Sequence, residues 1–237
     1  MQAKEELLKD YRYKTEMHAH ALPISRCSEF EPRALAEVYG KVGVDSLVLT
    51  NHFTPAFVDE GSKEDCLAAY AACYEEVAKY AREQGFTAIF SMEIRFRENN
   101  NDYLLYGITQ KDLPFLYDAV KEGMGIDEFY RAFHRRDAVI LQAHPFRSGM
   151  EHVDSASLDG IEVFNMHPGH NSRVAIAAKR AREEGLLVSG GTDFHHPGHE
   201  GVCLMRTKER METPRDLVKV LREKDFLLDI GGCIILP

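Results

Sequence analysis

The sequence predicts an α/β fold in which about six or seven strand–helix units close into a (β/α) barrel. Three observations predict it. Short, nearly all-apolar runs alternate with helical spacing, the pattern of parallel strands covered on both faces. No repeat, low-complexity tract or long linker interrupts the chain, so a single domain is expected over 1–237, with its core at about 14–230. Polar residues fall at the carboxyl end of nearly every strand, the end at which such barrels carry their chemistry.

In order, 1–12 reads as a polar lead-in or helical turn, and 13–20 as a first strand closing on Met17-His18-Ala19-His20. After the loop ALPISRCSEFE, Pro32 suits the first turn of a helix reaching about Gly40. A strand at 45–50 leads to Asn51-His52. Helical spacing over 64–83 sets Leu67, Tyr70, Ala71, Tyr74, Val77 and Ala78 on one face, and Gly85 stops it. The strand 87–92 delivers Glu93; a polar tip at 98–102 precedes another strand at 103–107. Helical patterns at 111–120 and 126–135 come before a strand at 138–141 that leads to His144-Pro145. The strand 160–164 leads to Asn165 and His167, and a helix at 172–184 closes at Gly185. The strand 186–190 delivers Asp193 and His195. A last helix follows Thr213-Pro214, before Phe226-Leu227-Leu228 and the apolar tail GGCIILP.

At 44% hydrophobic and 28% charged, the composition is that of an ordinary globular protein. The net charge of −9 argues against a broad footprint for extended nucleic acid or an anionic membrane. The N-terminal residues are charged with no apolar signal-peptide core, and no apolar run approaches the roughly 20 residues of a membrane span. Five scattered cysteines do not suggest a disulfide framework, so a reducing cytoplasm is expected.

The 11 histidines are clumped as HAH, NHF, AHPFR, NMHPGH and DFHHPGH, mostly at the ends of apolar runs. With side chains alternating at period two, His18 and His20 share one side of their strand and reach one point beyond its end. Further strand ends offer His52, Glu93, His144, His167 or Asn165, and Asp193 with His195. Singly each has an ordinary explanation: a strand-end turn at His144-Pro145, an Asx cap at Asp193, solvation of Glu93. Together at successive strand ends they point to metal. Mixed imidazole and carboxylate donors suit zinc, manganese or iron, and their number exceeds one tetrahedral ion, so two or three divalent ions are expected. His196 and His199 read as solvated loop residues, and His134 and His152 as uninvolved.

The order Met-His-Ala-His, Leu-Val-Leu-Thr-Asn-His-Phe, Ser-Met-Glu-Ile, Gln-Ala-His-Pro and Gly-Gly-Thr-Asp-Phe-His resembles the PHP (polymerase and histidinol phosphatase) superfamily of metal-dependent phosphoesterases. The likeness runs from about Lys14 to Glu200. It implies a distorted (β/α)7 barrel, with His18, His20, His52, Glu93, His144, Asp193 and His195 as metal ligands and Glu93 as the bridge. The chain departs from the pattern in three places. Cys27 lies in the loop where many relatives carry a further histidine. Asp102 lies where some carry another, and Asn51 replaces an aspartate, removing an acceptor beside His52. Cys27 and Asp102 are therefore further candidate ligands, beside His167 at its strand end.

Phosphoester hydrolysis is the expected chemistry, with metal-activated water as nucleophile. Arg147, Arg26 and Arg95 are candidates for the phosphoryl oxygens, and Asp193 or His195 for protonating the leaving group. A small phosphorylated substrate fits an acidic chain with no added domain: a phosphomonoester such as a histidinol-phosphate-like compound, or a nucleotide. Three alternatives stay open: a 3′–5′ exonuclease or phosphodiesterase acting on short nucleic acid, an amidohydrolase cleaving C–N bonds, and a non-catalytic metal-binding barrel.

Overall fold

Local signals place most of the helices. In the computed structural model, which describes residues 2–236, α1 (Gln2–Asp10) leads to β1 (Tyr13–Ala19). Then come α2 (Pro32–Val42), β2 (Ser46–Leu49), the short β3 (His52–Phe53) and α3 (Pro55–Asp59). The long α4 (Lys63–Glu83) precedes β4 (Thr87–Phe90), β5 (Met92–Arg95) and β6 (Asp102–Tyr106). Helices α5 (Leu113–Glu122) and α6 (Ile126–Phe133) come before β7 (Val139–Gln142) and β8 (Gly160–Asn165). The chain ends with α7 (Val174–Glu184), β9 (Leu187–Gly191), β10 (Cys203–Thr207), α8 (Pro214–Glu223), β11 (Leu227–Ile230) and β12 (Cys233–Ile235). Pro32 opens α2 and left-handed Gly43 closes it. Ser62 caps α4 by accepting from the Asp65 N–H, and Thr213 with Asp216 forms a capping box on α8. The buried stripe of α4 is Cys66, Tyr70, Cys73, Val77, Ala78 and Ala81, so both cysteines face inward and Leu67, Ala71 and Tyr74 flank them.

The strands form two six-stranded sheets, in the orders β12-β11-β10-β1-β2-β4 and β3-β5-β6-β7-β8-β9. Two apolar runs pass from one sheet to the other: β2 into β3 across Thr50-Asn51, and β4 into β5 across Ser91. The Tyr70 hydroxyl sits at both transitions, 2.7 Å from the Asn51 carbonyl and 3.3 Å from that of Ser91. At the opposite seam Ala19 bridges Phe194, with His20 N–H on the Phe194 carbonyl and Phe194 N–H on that of His18.

The class is the expected mixed α/β fold of one domain, but the sheet is not parallel throughout. Strand β6 is antiparallel to both β5 and β7, and β1, β10, β11 and β12 form an antiparallel series. The segment 96–101 between β5 and β6 is too short for a parallel crossover, which needs about a dozen residues or more, so the chain turns back as a hairpin. Between β9 and β1 the ladder is reduced to the single Ala19–Phe194 bridge. None of the described helices is long and apolar enough to cross a membrane.

Beneath the strand ends, Met17, Val48, Ile89, Leu104, Leu141 and Met205 pack with Leu217, Val218 and Leu221 of α8. A larger apolar cluster lies between the strands and the other helices. These layers hold the polar strand ends at a fixed depth. Tyr70→Phe removes the hydroxyl that joins the two sheet transitions. It should cost about 1–2 kcal/mol, lowering the melting temperature by about 2–8 °C in a circular dichroism scan. An unchanged melt would show that the bond contributes nothing to the seam.

Candidate metal centre

Two register shifts frame the site. The pairing of β1 with β2 shifts between Glu16 and Ala19, and that of β8 with β9 between Glu162 and Phe164. Bulges of this kind re-aim side chains. At the first, the Glu16 carboxylate accepts the His18 N–H at 3.0 Å, the Thr192 N–H at 2.9 Å and the Tyr39 hydroxyl at 2.7 Å. It thereby ties the end of β1 to the chain leaving β9. Gly191 is required there, because a Cβ at that position would stand 2.5 Å from the His18 Cβ.

His18 and His20 do reach one point. Their Nε2 atoms each lie 3.5 Å from Glu93 Oε2, and at 3.5 and 3.3 Å from Asp193 Oδ1. His52 Nδ1 lies 2.8 Å from the same Glu93 oxygen, and the rings of His20, His52 and His195 face one another. On the other side, His144 Nε2 is 3.1 Å from Glu93 Oε1 and 3.8 Å from Asp102 Oδ2. Ligand atoms thus gather in three groups, His18–His20–Asp193 and His20–His52–His195, which share His20, and Glu93–Asp102–His144.

Hydrogen bonds fix which ring nitrogens face inward. His18 Nδ1–H donates to Glu162 Oε1 at 2.8 Å, His20 Nδ1–H to Ser25 Oγ at 3.1 Å, and His195 Nδ1–H to the Asp193 carbonyl at 2.9 Å. Each leaves Nε2 as the nitrogen that faces the site. His18 Nε2, His20 Nε2, His52 Nδ1 and Glu93 Oε2 are buried with no hydrogen-bond partner, which is rare for groups of this kind. Tetrahedral bonds of about 2.0–2.1 Å give ligand–ligand edges of about 3.3–3.4 Å. The His–carboxylate spacings of 3.3–3.5 Å match that, so the donor set fits a divalent ion.

The electrostatics agree with that fit. Burial would raise the Glu93 carboxyl, but the His18 and His52 charges and a bond from His144 hold it well below the usual range. Asp193 is likewise held low against burial, chiefly by His18. Burial and the neighbouring charges of His195 and His52 push His20 well down, which keeps it a neutral imidazole. Against burial, the Glu93 carboxylate and Cys27 push His52 up to about 10. The neighbouring imidazoles of His195 and His52 outweigh burial at Cys27 and bring its thiol to about 6. His144 and Asp193 adopt left-handed backbone angles, φ 29° and 54°, an uncommon strain for residues other than glycine.

All of His18, His20, His52, Glu93, His144, Asp193 and His195 are therefore brought together, and Asp102 joins them. Arg95 grips Asp102 through two 2.7 Å bonds, and Arg147 Nη2 lies 3.6 Å from it. Both arginines, with Cys27, line a cleft of about 200 Å³ over the ligands. Arg26 does not line it: its side chain is 72% exposed and pairs with Glu60 at 2.5 Å, because the loop turns it outward. His167 stays at the rim, stacked 4.0 Å from His170, and its Nδ1 accepts the Gly169 N–H, so it joins none of the ligand groups. Burial lowers it to about 4. His196, expected in solvent, also borders the cleft and pairs with Glu29 at 3.0 Å.

Three contributors were not anticipated. Glu162 orients His18, accepts the His144 N–H at 3.0 Å and receives Asn165 Nδ2, which also reaches Asp193. A charge in the apolar run GIEVFN was its signal. His170 Nδ1 lies 3.5 Å from Asp193 Oδ2. Ser25 links His20 to Asn51 and has no sequence signature. Asn51 itself still provides an acceptor, contrary to expectation: its Oδ1 takes the Ala21 N–H at 2.7 Å and the Ser25 hydroxyl at 3.0 Å.

No protein-family model and no curated protein matches the sequence. Solved structures do match the fold. PsfC from Pseudomonas syringae is 16% identical, with a TM-score of 0.63 over 87% of each chain. A two-domain protein from Bacteroides vulgatus, containing a predicted PHP-like metal-dependent phosphoesterase, is 17% identical with a TM-score of 0.58. That match covers 92% of this chain and 64% of the other. An amidohydrolase from Chromobacterium violaceum, solved with sulfate and no metal, is 14% identical with a TM-score of 0.51, over 78% and 89% of the two chains. At such identities the likeness is one of fold alone.

Proposed function

We propose that this protein is a metal-dependent phosphoesterase acting on a small phosphate ester. One observation carries the reading: three ligand groups converge around the buried Glu93 beneath a cleft flanked by Arg95 and Arg147. His18, His20, His52, Glu93, His144, Asp193 and His195 would hold two or three divalent ions, with Glu93 as the shared ligand and Asp102 in support. Zinc, manganese and iron all suit these donors. Such ions supply Lewis acidity and lower the pKa of the attacking water.

The chain's own residues do the rest. Arg147, 24% exposed and not closely paired, is the better placed of the two arginines for a phosphoryl oxygen. Arg95, committed to Asp102, sets that carboxylate's position and adds positive field. His195, its Nδ1–H held by the Asp193 carbonyl, would present Nε2 to the site as a ligand. The Asp193 carboxylate already faces His18, His20 and Asn165. A cleft of about 200 Å³ suits a phosphoryl group with a small alcohol or nucleoside portion, better than a long polymer. A C–N hydrolase is the second reading, supported by a fold likeness alone. Such enzymes place a carboxylated lysine on a middle strand, where this chain has Glu93, and no lysine lines the cleft among the described residues. A cytoplasmic setting suits the five cysteines, all of them free.

A panel of phosphomonoesters, phosphodiesters and amides, assayed with added manganese or zinc, tests the proposal. Hydrolysis of amides alone would replace it with the second reading. Glu93→Gln should reduce turnover by about 100-fold or more with the circular dichroism spectrum unchanged; retained activity would remove its bridging role. Glu162→Gln leaves the ligands in place but weakens the anchor on His18. Metal affinity, read by chelator competition, should drop about 10–100-fold, and an unchanged value would make Glu162 merely structural.

The pH dependence has a defined sign. His52, raised from its ordinary 6.5 to about 10, stabilises the metal-free fold below 6.5 and loses that contribution as pH rises through about 10. Metal must displace this proton, so affinity should increase with pH over that window, by up to about tenfold per unit for one proton. Calorimetry in buffers of different ionisation enthalpy should register the released proton; affinity independent of pH would contradict it.

A further inference from the structure

We propose that Ser25 and Asn51 are positioning residues for the metal centre. Anchored on Cys73 of α4, they form a one-way hydrogen-bond chain that keeps the His20 proton on Nδ1 and leaves Nε2 free to take metal. The inference rests on the metal reading above and deepens it at His20, which belongs to two of the three ligand groups.

His20 and Ser25 are fully buried, and Asn51 and Cys73 nearly so. Which of their atoms can donate decides the direction of the chain. The Ala21 N–H, which can only donate, meets Asn51 Oδ1 at 2.7 Å and so identifies that atom as the amide oxygen. An amide oxygen has no hydrogen to give, so the Ser25 hydroxyl, 3.0 Å away, donates to it. That uses the one hydrogen of Ser25, whose Oγ also accepts the His52 N–H at 2.9 Å. His20 Nδ1, 3.1 Å from the same Oγ, therefore has to be the donor of its pair. In a neutral imidazole with its hydrogen on Nδ1, Nε2 keeps its lone pair.

The far end closes on α4. With Oδ1 identified, Asn51 Nδ2 faces Cys73 Sγ at 3.2 Å. The thiol lies 3.4 Å from the Leu22 carbonyl, an acceptor only, so S–H donates there and the sulfur accepts from Nδ2. Burial pushes this thiol up to about 11, which keeps its hydrogen in place at neutral pH. Asparagine in place of the expected aspartate thus keeps the acceptor that Ser25 needs and spends its amide hydrogen on the sulfur. Without an acceptor at position 51, the Ser25 hydrogen would turn to His20 Nδ1 and drive the ring's proton to Nε2.

Nitrogen-15 NMR of the full chain, labelled at histidine and stripped of metal by chelator, reads the tautomer without recourse to activity. His20, assigned by the signals missing in His20→Asn, should show a protonated Nδ1 and a bare Nε2 in the wild type. A proton on Nε2 there would overturn the chain and leave the metal reading standing, whether or not any variant folds. Asn51→Leu should move the proton to Nε2, and Asn51→Asp, which keeps the acceptor, should leave it on Nδ1. Ser25→Ala should mix the two tautomers and lower zinc affinity about 10–100-fold in chelator competition. Reduced affinity with the wild-type tautomer retained would make Ser25 merely structural. A wild type with the expected tautomer that takes up no zinc, manganese or iron would overturn the metal reading and leave the chain standing.

Discussion

The whole arrangement depends on a carboxylate that water barely reaches. Glu93 is 1% exposed, and an ionised carboxylate at that depth costs several kcal/mol unless opposite charge or donors surround it. His18, His20, His52 and His144 provide that surround. They come from strand ends on both sheets, so neutralising one charge fixes how the sheets meet. Asp193 repeats the device on a smaller scale, shared between His18, His20 and Asn165. Glu16 and Glu162 sit at the two bulges and are satisfied by backbone N–H groups as well as side chains, which turns buried charge into positional control.

Much of this was legible because each ligand closes an apolar run. Period-two alternation placed His18 and His20 on one side of a strand, and the motifs Asn-His, His-Pro and Asp-Phe-His marked other strand ends. The sheet transitions were not legible. An apolar run such as Ser46–Phe53 has the same local character whether its second half pairs in one sheet or another. The reversed β6 could have been inferred from its short connection. The unread strand Cys203–Thr207 is brief and chemically mixed, so neither alternation nor apolar content announces it. Arg26 shows the limit of sequence proximity. Beside Cys27 in the chain, it points to Glu60, while Arg95, far along the chain, borders the cleft.

The outer contacts also explain why the site is rigid without being tightly enclosed. Ser25 and Asn51 form a relay under His20 and His52, and Arg95 clamps Asp102 from outside. Exposed Cys27 and half-buried His196 and Arg147 are the groups that face what enters the cleft. Left-handed His144 and Asp193 carry backbone strain in the ligand layer itself, where the fold holds them in place.

The bridge between Ala19 and Phe194 also sets when the site can come into being. Its first histidines precede Asp193 and His195 by eight further strands, β2 to β9. Contacts so distant in sequence form late, since loop closure must precede them. A ribosome-bound chain that has not yet extruded Phe194 therefore holds His18, His20 and Glu93 without Asp193 and His195. Assembly of the full candidate ligand set is thereby coupled to completion of the fold.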